Sequence, residues 1–280
     1  MLTDRVRRHC AALAASARHV RIDPDATVEA GGISGLDPAL HFLEGEPEDV
    51  ARYVLILDAI NFGSGWFDEL GTSTDAITQR LTEHTRERGA PWTGAELQTL
   101  DARQAGAALG LEPTHRLTQL YAEGLNQLGA FLGDRDPRTL ATTAEDLAQQ
   151  LADGLPFFAD HGFYKRAQIA ANDLHHAGVV EFPDIDRLTV FADNLLPHVL
   201  RLDGVLVYED ALAARIDARV ELPAGSREEQ ELRACTVHAC ERLATRLDVT
   251  PALLDNWLWN RGQQPPYSER PAHITRTVFY

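Results

Sequence analysis

The run Leu117-Thr118-Gln119-Leu120-Tyr121-Ala122-Glu123-Gly124-Leu125-Asn126-Gln127-Leu128-Gly129-Ala130-Phe131-Leu132 decides how the rest of the chain is read. Leu117, Leu120, Tyr121, Gly124, Leu125, Leu128 and Leu132 recur at steps of three and four, so they line one stripe of an α-helix. Working outward, Val50, Tyr53, Val54 and Leu57 form a second such stripe. Start signals agree: Thr93 with Glu96, Thr142 with Glu145 and Ser226 with Glu229 have capping-box spacing, and Thr250-Pro251 puts proline at a first helical position. Strand patterns are few. Gly204-Val205-Leu206-Val207-Tyr208 and the end Thr275 to Tyr280 are the two candidates, and either also reads as an extended connector. The expected fold class is therefore all-α, mostly helical with few short extended segments. It is read as one compact domain over residues 1–280, with an extended C-terminal tail over 263–280. The expected breaks are Gly31-Gly32-Ile33, Asn61 to Gly71 and Gln263 to Pro266.

Composition bounds the function. With 42 Asp and Glu against 26 Lys and Arg, the formal charge of −16 disfavours a whole nucleic acid as ligand, while a small molecule bearing one phosphate needs only a local cationic pocket. Cys10, Cys235 and Cys240 lack zinc-site spacing and read as reduced thiols, which suits the cytoplasm. No segment has the character of a signal peptide or the ~20 apolar residues of a membrane span. His175-His176 point about 100° apart on a helix and lack further ligand spacing, so neither a metal nor another cofactor is expected.

Two stretches carry the chemistry. Phe163-Tyr164-Lys165-Arg166-Ala167-Gln168 and Leu188-Thr189-Val190-Phe191-Ala192-Asp193 each place a charge in apolar, helix-like sequence. An inward-facing Lys165 requires an anion, whereas the same residue on an amphipathic helix is a solvated cation; both readings are open. A cleft-facing Asp193 would stabilise positive charge in a ligand, and an exposed aspartate there would be unremarkable. A cation and a carboxylate of this kind suit glycosidic bond cleavage. Asn61-Phe62-Gly63-Ser64-Gly65-Trp66-Phe67 reads either as a ligand-approaching turn or as an ordinary helix end. Asp255 and Asn260, beside Trp257 and Trp259, offer hydrogen bonds to a guanine-like edge, in sequence that equally fits a tryptophan-anchored core helix.

Taken in order, His41-Phe42, Leu57 to Phe67, Phe163 to Gln168, Leu188 to Asp193 with Pro197, Leu258-Trp259 and His273 to Tyr280 resemble the queuosine salvage family. Its members are queuosine 5′-phosphate N-glycosylases that release queuine for salvage into tRNA. The resemblance implies a helical fold similar in part to helix-hairpin-helix DNA glycosylases, acting on a free nucleotide with no intact nucleic acid, membrane or obligate protein partner. It implies Asp193 as the catalytic carboxylate, with Lys165 beside the sugar or phosphate. His41 and Phe191 would contact the base and Asp255 would read its edge; Asn61 and Asn260 join the substrate contacts, and Arg276 and Tyr280 fall to the 5′-phosphate. The chain departs from the family pattern at Asn194, where an aromatic residue is usual, and at Asn260, where a second acid is frequent. A glycosidase for another purine-like nucleotide and a non-catalytic nucleotide-binding protein are the competing expectations.

Overall fold

In the computed structural model, which describes residues 1–29, 31 and 35–280, the chain runs through thirteen α-helices and two short strands among the described residues. In chain order these are α1 (Leu2–Ala15), β1 (Val20–Ile22), α2 (Pro47–Ala59), α3 (Phe67–Leu70), α4 (Thr74–Arg88), α5 (Gly94–Thr99), α6 (Ala102–Leu109) and α7 (Arg116–Leu132). They continue with α8 (Ala144–Gly154), α9 (Lys165–His176), α10 (Leu195–Leu202), β2 (Leu206–Tyr208), α11 (Asp210–Asp217), α12 (Arg227–Leu247) and α13 (Pro251–Gly262). The mostly helical expectation holds. The described residues group into two compact units. The first takes its residues from 1–34, 161–165 and 186–277; the second from 35–160, 166–185 and 278–280.

The first unit is organised by α12, its longest helix. Leu232, Cys235, Ala239, Cys240 and Leu243 are buried along it, and α1 packs against it with Leu2, Val6 and Cys10. All three cysteines are buried and unbridged, and burial pushes the Cys235 thiol up to about 12 and Cys240 well above its ordinary value. They are filling, not nucleophiles. Val20-Arg21-Ile22 pairs antiparallel with Leu206-Val207-Tyr208 in the register Val20↔Tyr208. The second strand lies inside an expected extended segment; the first is too short for alternation to be read. Glu231 on α12 receives the main-chain N–H groups of Arg18 and His19 at 2.9 and 2.7 Å, fixing the chain as it leaves α1 for the strand. In the same unit, α10 and α13 approach so closely that a β-carbon on Gly262 would meet Leu195 at 2.7 Å.

The second unit is built around α7. Every residue of its expected stripe is buried, as are Val50, Tyr53, Val54 and Leu57 on α2. Gly129 lets α5 come close: a β-carbon there would fall 2.6 Å from the Gln98 nitrogen. Asn126 donates to the carbonyls of Leu97 and Leu100, satisfying the end of α5. α2 ends before Gly63, whose φ of 99° is a left-handed conformation that favours glycine, and the following segment contains a 3₁₀ turn and α3.

Two expectations need correction. Leu188 to Ala192 is not helical; it is a buried connector that meets α10 at Asp193 and Asn194. Its apolar run carries no periodicity that separates helix from buried extended chain. α8 is capped by Thr143, whose side chain accepts from Asp146 N–H, so Thr142 and Glu145 are one position out of register. Ser226 caps α12 by accepting from Glu229 N–H, and the Glu229 carboxylate accepts from Gly225 N–H. Thr93 with Glu96 makes the full box, and Thr250 caps α13 with Pro251 following. The tail turns over 263–270 and then runs extended, with His273, Thr275 and Thr277 buried in alternation. Of the expected break at Gly31-Gly32-Ile33, Gly32 and Ile33 lie outside the described residues. Among the described residues no helix is long and apolar enough to cross a membrane, and no group of His, Cys, Asp or Glu is arranged to hold a metal.

Candidate active site

A buried stretch without helix or ladder hydrogen bonds must find other partners for its main-chain groups. Leu188 to Ala192 finds them in side chains. Asp255, buried on α13, accepts from Phe191 N–H at 2.6 Å. Arg233, buried on α12, donates from Nε to the Ala192 carbonyl at 2.9 Å. Upstream, Arg7 of α1 donates to the Arg187 carbonyl at 2.9 Å while its Nε pairs with Glu241. The connector is thus tied at both ends by charged side chains from three helices.

Asp193 follows directly and is half-buried. Its Oδ1 accepts from Leu195 N–H at 2.8 Å and Leu196 N–H at 3.2 Å, the orphan donors of the first turn of α10, where negative charge is favoured. Oδ2 takes no hydrogen bond from a described residue. One oxygen therefore anchors the group and the other is available. Phe191 and Ala192 beside it are buried at 5 % and 1 % exposure, so the carboxylate stands at the edge of an apolar wall.

Lys165 opens α9 and is 4 % exposed, so the inward reading of this cation is the one the fold adopts. The turn before it is tightly determined. Gly162 has a φ of 94°, and a β-carbon there would meet the His9 ring at 2.4 Å. Phe163 stacks its edge on His9 with ring centroids 5.5 Å apart and receives the Arg233 guanidinium 4.0 Å from its ring centre. Tyr164 takes a φ of 51°, unusual for a residue with a side chain.

Lys165, Phe191, Asp193 and Asp255 all belong to the first unit and are buried or half-buried. Asn260 and Arg276 belong to the same unit but are exposed. Asn260 donates to Asn256 one turn earlier, and Arg276 lies 3.3 Å from Glu221 at the surface. Five residues on a helix amount to about 140° of rotation, so α13 cannot turn Asp255 and Asn260 to one face. His41, Asn61 and Tyr280 belong to the second unit. There His41 Nδ1 lies 3.0 Å from the Asp37 carbonyl, Asn61 N–H donates to the Asp58 carbonyl, and the main-chain oxygen of buried Tyr280 accepts from Gly63 N–H.

Two buried arginines escaped the sequence reading. Arg166 follows Lys165 in the sequence and is the largest fully buried side chain among the described residues. Arg233 sits in a helix whose charged composition gave no sign of it. It stands 3.5 Å from Glu229, both nearly inaccessible, and its charge adds to burial in holding the buried His273 imidazole down to about 3. No sequence pattern distinguishes such an arginine from a solvated one; only the absence of water around it does.

The family described as Queuosine salvage protein matches residues 138–280, which include Lys165, Phe191, Asp193, Arg233 and Asp255. The queuosine 5′-phosphate N-glycosylase/hydrolase of Sphaerobacter thermophilus is 34% identical over 276 residues, covering 86% of this chain and 84% of its own. Its counterpart of the same description from Mus musculus is 26% identical over 299 residues, with 86% of each chain covered. That from Dictyostelium discoideum is 39% identical over 127 residues, 42% of this chain and 40% of its own. With matching residues distributed over nearly the whole length, this chain belongs to the queuosine salvage protein family.

Proposed function

We propose that the protein hydrolyses the N-glycosidic bond of queuosine 5′-monophosphate, releasing queuine for salvage into tRNA. The observation that carries the reading is the Asp193 carboxylate: Oδ1 is held by two main-chain N–H groups at the start of α10, and Oδ2 is left for a ligand beside the buried Phe191. Cleavage of such a bond passes through an oxocarbenium-like ribosyl cation, and a fixed carboxylate in a largely apolar wall stabilises that charge more than mobile water does. Asp193 serves this role, either by electrostatic stabilisation or by orienting the attacking water. Phe191 offers a flat apolar surface to the base. Asp255 fixes Phe191 through its N–H and is the hydrogen-bond acceptor for the deazaguanine edge. Lys165 supplies positive charge beside the sugar or phosphate. A 7-deazapurine lacks N7, so protonation there, the usual route for purine departure, is closed; the leaving base must be stabilised at other atoms. Three buried cysteines, none bridged to another, support a cytoplasmic setting.

The test is incubation of purified protein with queuosine 5′-monophosphate, following free queuine by mass spectrometry, with Asp193→Asn in parallel. Queuine from the unmutated chain and almost none from the variant is the expected result. Intact substrate in both would reject the assignment.

A further inference from the structure

We propose that Arg233 is a positioning residue for Asp193, holding through one guanidinium both the peptide that carries the catalytic carboxylate and the turn that carries Lys165. The proposal rests on the reading of Asp193 given above. Its basis is geometric. The Ala192 carbonyl that Arg233 holds at 2.9 Å belongs to the same rigid peptide plane as the Asp193 nitrogen. Holding that oxygen restricts the plane from which the Asp193 Cα hangs, and Asp255 holds the preceding segment at Phe191 N–H. With that plane restricted, the carboxylate moves chiefly through the φ of Asp193 and its side-chain torsions, and Oδ1 is already engaged by Leu195 and Leu196 N–H.

Arg233 is itself immobilised. Phe163 covers the guanidinium with its centre 4.0 Å away, and Glu229 one turn earlier lies 3.5 Å from Nη1. Glu229 is in turn held by Gly225 N–H at 3.1 Å. A planar cation suits this place, because it can lie flat on a ring and donate in its own plane at the same time; an ammonium cannot do both. Because Phe163 is two residues before Lys165, the same group sets the turn that delivers the lysine. The arrangement links two stretches that are remote in sequence, through a residue remote from both.

The experiment compares the unmutated chain with Arg233→Gln, Arg233→Lys and Phe163→Leu, using queuosine 5′-monophosphate kinetics and amide hydrogen exchange at Leu195 and Leu196. Arg233→Gln is expected to lower kcat about 100-fold with KM changed less than about threefold, since small misplacement of a reacting group carries such penalties. Arg233→Lys should lose about tenfold, and added guanidinium should restore part of the Arg233→Gln rate but none of the Asp193→Asn rate. Exchange at Leu195 and Leu196 should quicken about tenfold in Arg233→Gln while Leu120 and Tyr121 in α7 do not change, because a loosened Asp193 no longer protects those amides. A folded Arg233→Gln with unchanged kcat, a loss confined to KM, or unchanged exchange overturns the proposal. Should Arg233→Gln not fold, Phe163→Leu decides: it keeps the cation, removes the ring face, and is expected to lower kcat about fivefold with faster Leu195 exchange. If the unmutated chain releases no queuine, the assignment of the reaction fails, and the exchange data still decide whether Arg233 holds Asp193.

Discussion

Among the described residues each unit buries one arginine, and the two hold different things. Arg166 in the second unit donates to the carbonyls of Asp58, Ala59, Phe157 and Val278 and lies 4.6 and 4.5 Å from the ring centres of Phe62 and Phe158. Burial lowers its pKa to about 9, so it is still a cation at neutral pH, and the charge of Asp58 opposes the shift. It gathers the end of α2, the Phe157-Phe158 turn and the last residues of the chain around one group. Arg233 in the first unit has a carboxylate, a carbonyl and a ring, and the carbonyl belongs to the residue before Asp193. Both are dry and both stack on phenylalanine. The comparison teaches that two buried cations of the same kind hold different partners: one the ends of segments in the second unit, the other the peptide before Asp193.

The largest effect that would break this contrast is on stability. Arg166→Met leaves several buried carbonyls without a donor, and urea unfolding is expected to show a loss of about 4 kcal/mol. A loss below about 1 kcal/mol would mean that Arg166 is not the structural member of the pair. Asp193→Asn should behave in the opposite way. Queuine release should fall about 10²- to 10³-fold, as when a charge-stabilising group is removed, while stability changes by less than about 1 kcal/mol because asparagine still caps α10.

The surroundings of Arg233 can be sharpened by pH. His273 is buried neutral with its pKa held at about 3, first by burial and then by the charge of Arg233. The unfolded chain takes up this proton as pH falls through about 6.5, whereas the folded chain does not until about 3. The contribution of His273 is therefore complete above pH ~6.5 and is lost by up to about 1.4 kcal/mol per unit below it. Unfolding midpoints of His273→Gln at pH 7 and pH 5 should differ less than those of the unmutated chain; an equal difference would remove His273 from the account. The smallest effect sets the scale for the others: Thr143→Ala should cost about 1 kcal/mol and Thr142→Ala less than about 0.5, measured by thermal unfolding.

Much of the helical frame was legible. The stripes on α2 and α7 are buried residue for residue, and Thr93, Ser226 and Thr250 sit at helix starts as their spacing indicates. These are local signals, set by the pitch of the helix and by orphan N–H groups. Thr142 and Thr143 show the limit of such signals, since two adjacent threonines with acids three residues on offer the same cap in two registers. Leu188 to Ala192 failed for a different reason: an apolar run reads alike whether its main chain is paired within a helix or, as here, with Asp255 and Arg233. The candidate site was legible in its residue types and not in its placement. Lys165 and Asp255 are buried, whereas Asn260 and Arg276, equally plausible as hydrogen-bonding partners, face solvent.

By itself the amino-acid sequence determined the helical class, the helix starts at Thr93, Ser226 and Thr250, the acidic balance of charge, and the ordered residues through which the family is recognised. Those depend on neighbours within a few positions or on composition. Only the tertiary structure decided that Leu188 to Ala192 is a clamped connector, that one oxygen of Asp193 is anchored and the other available, and that Arg233 joins the Phe163 turn to the Ala192 peptide. The reason is solvation: whether a charged side chain is worth anything to its partner depends on the exclusion of water, and that exclusion is produced by segments distant in the chain.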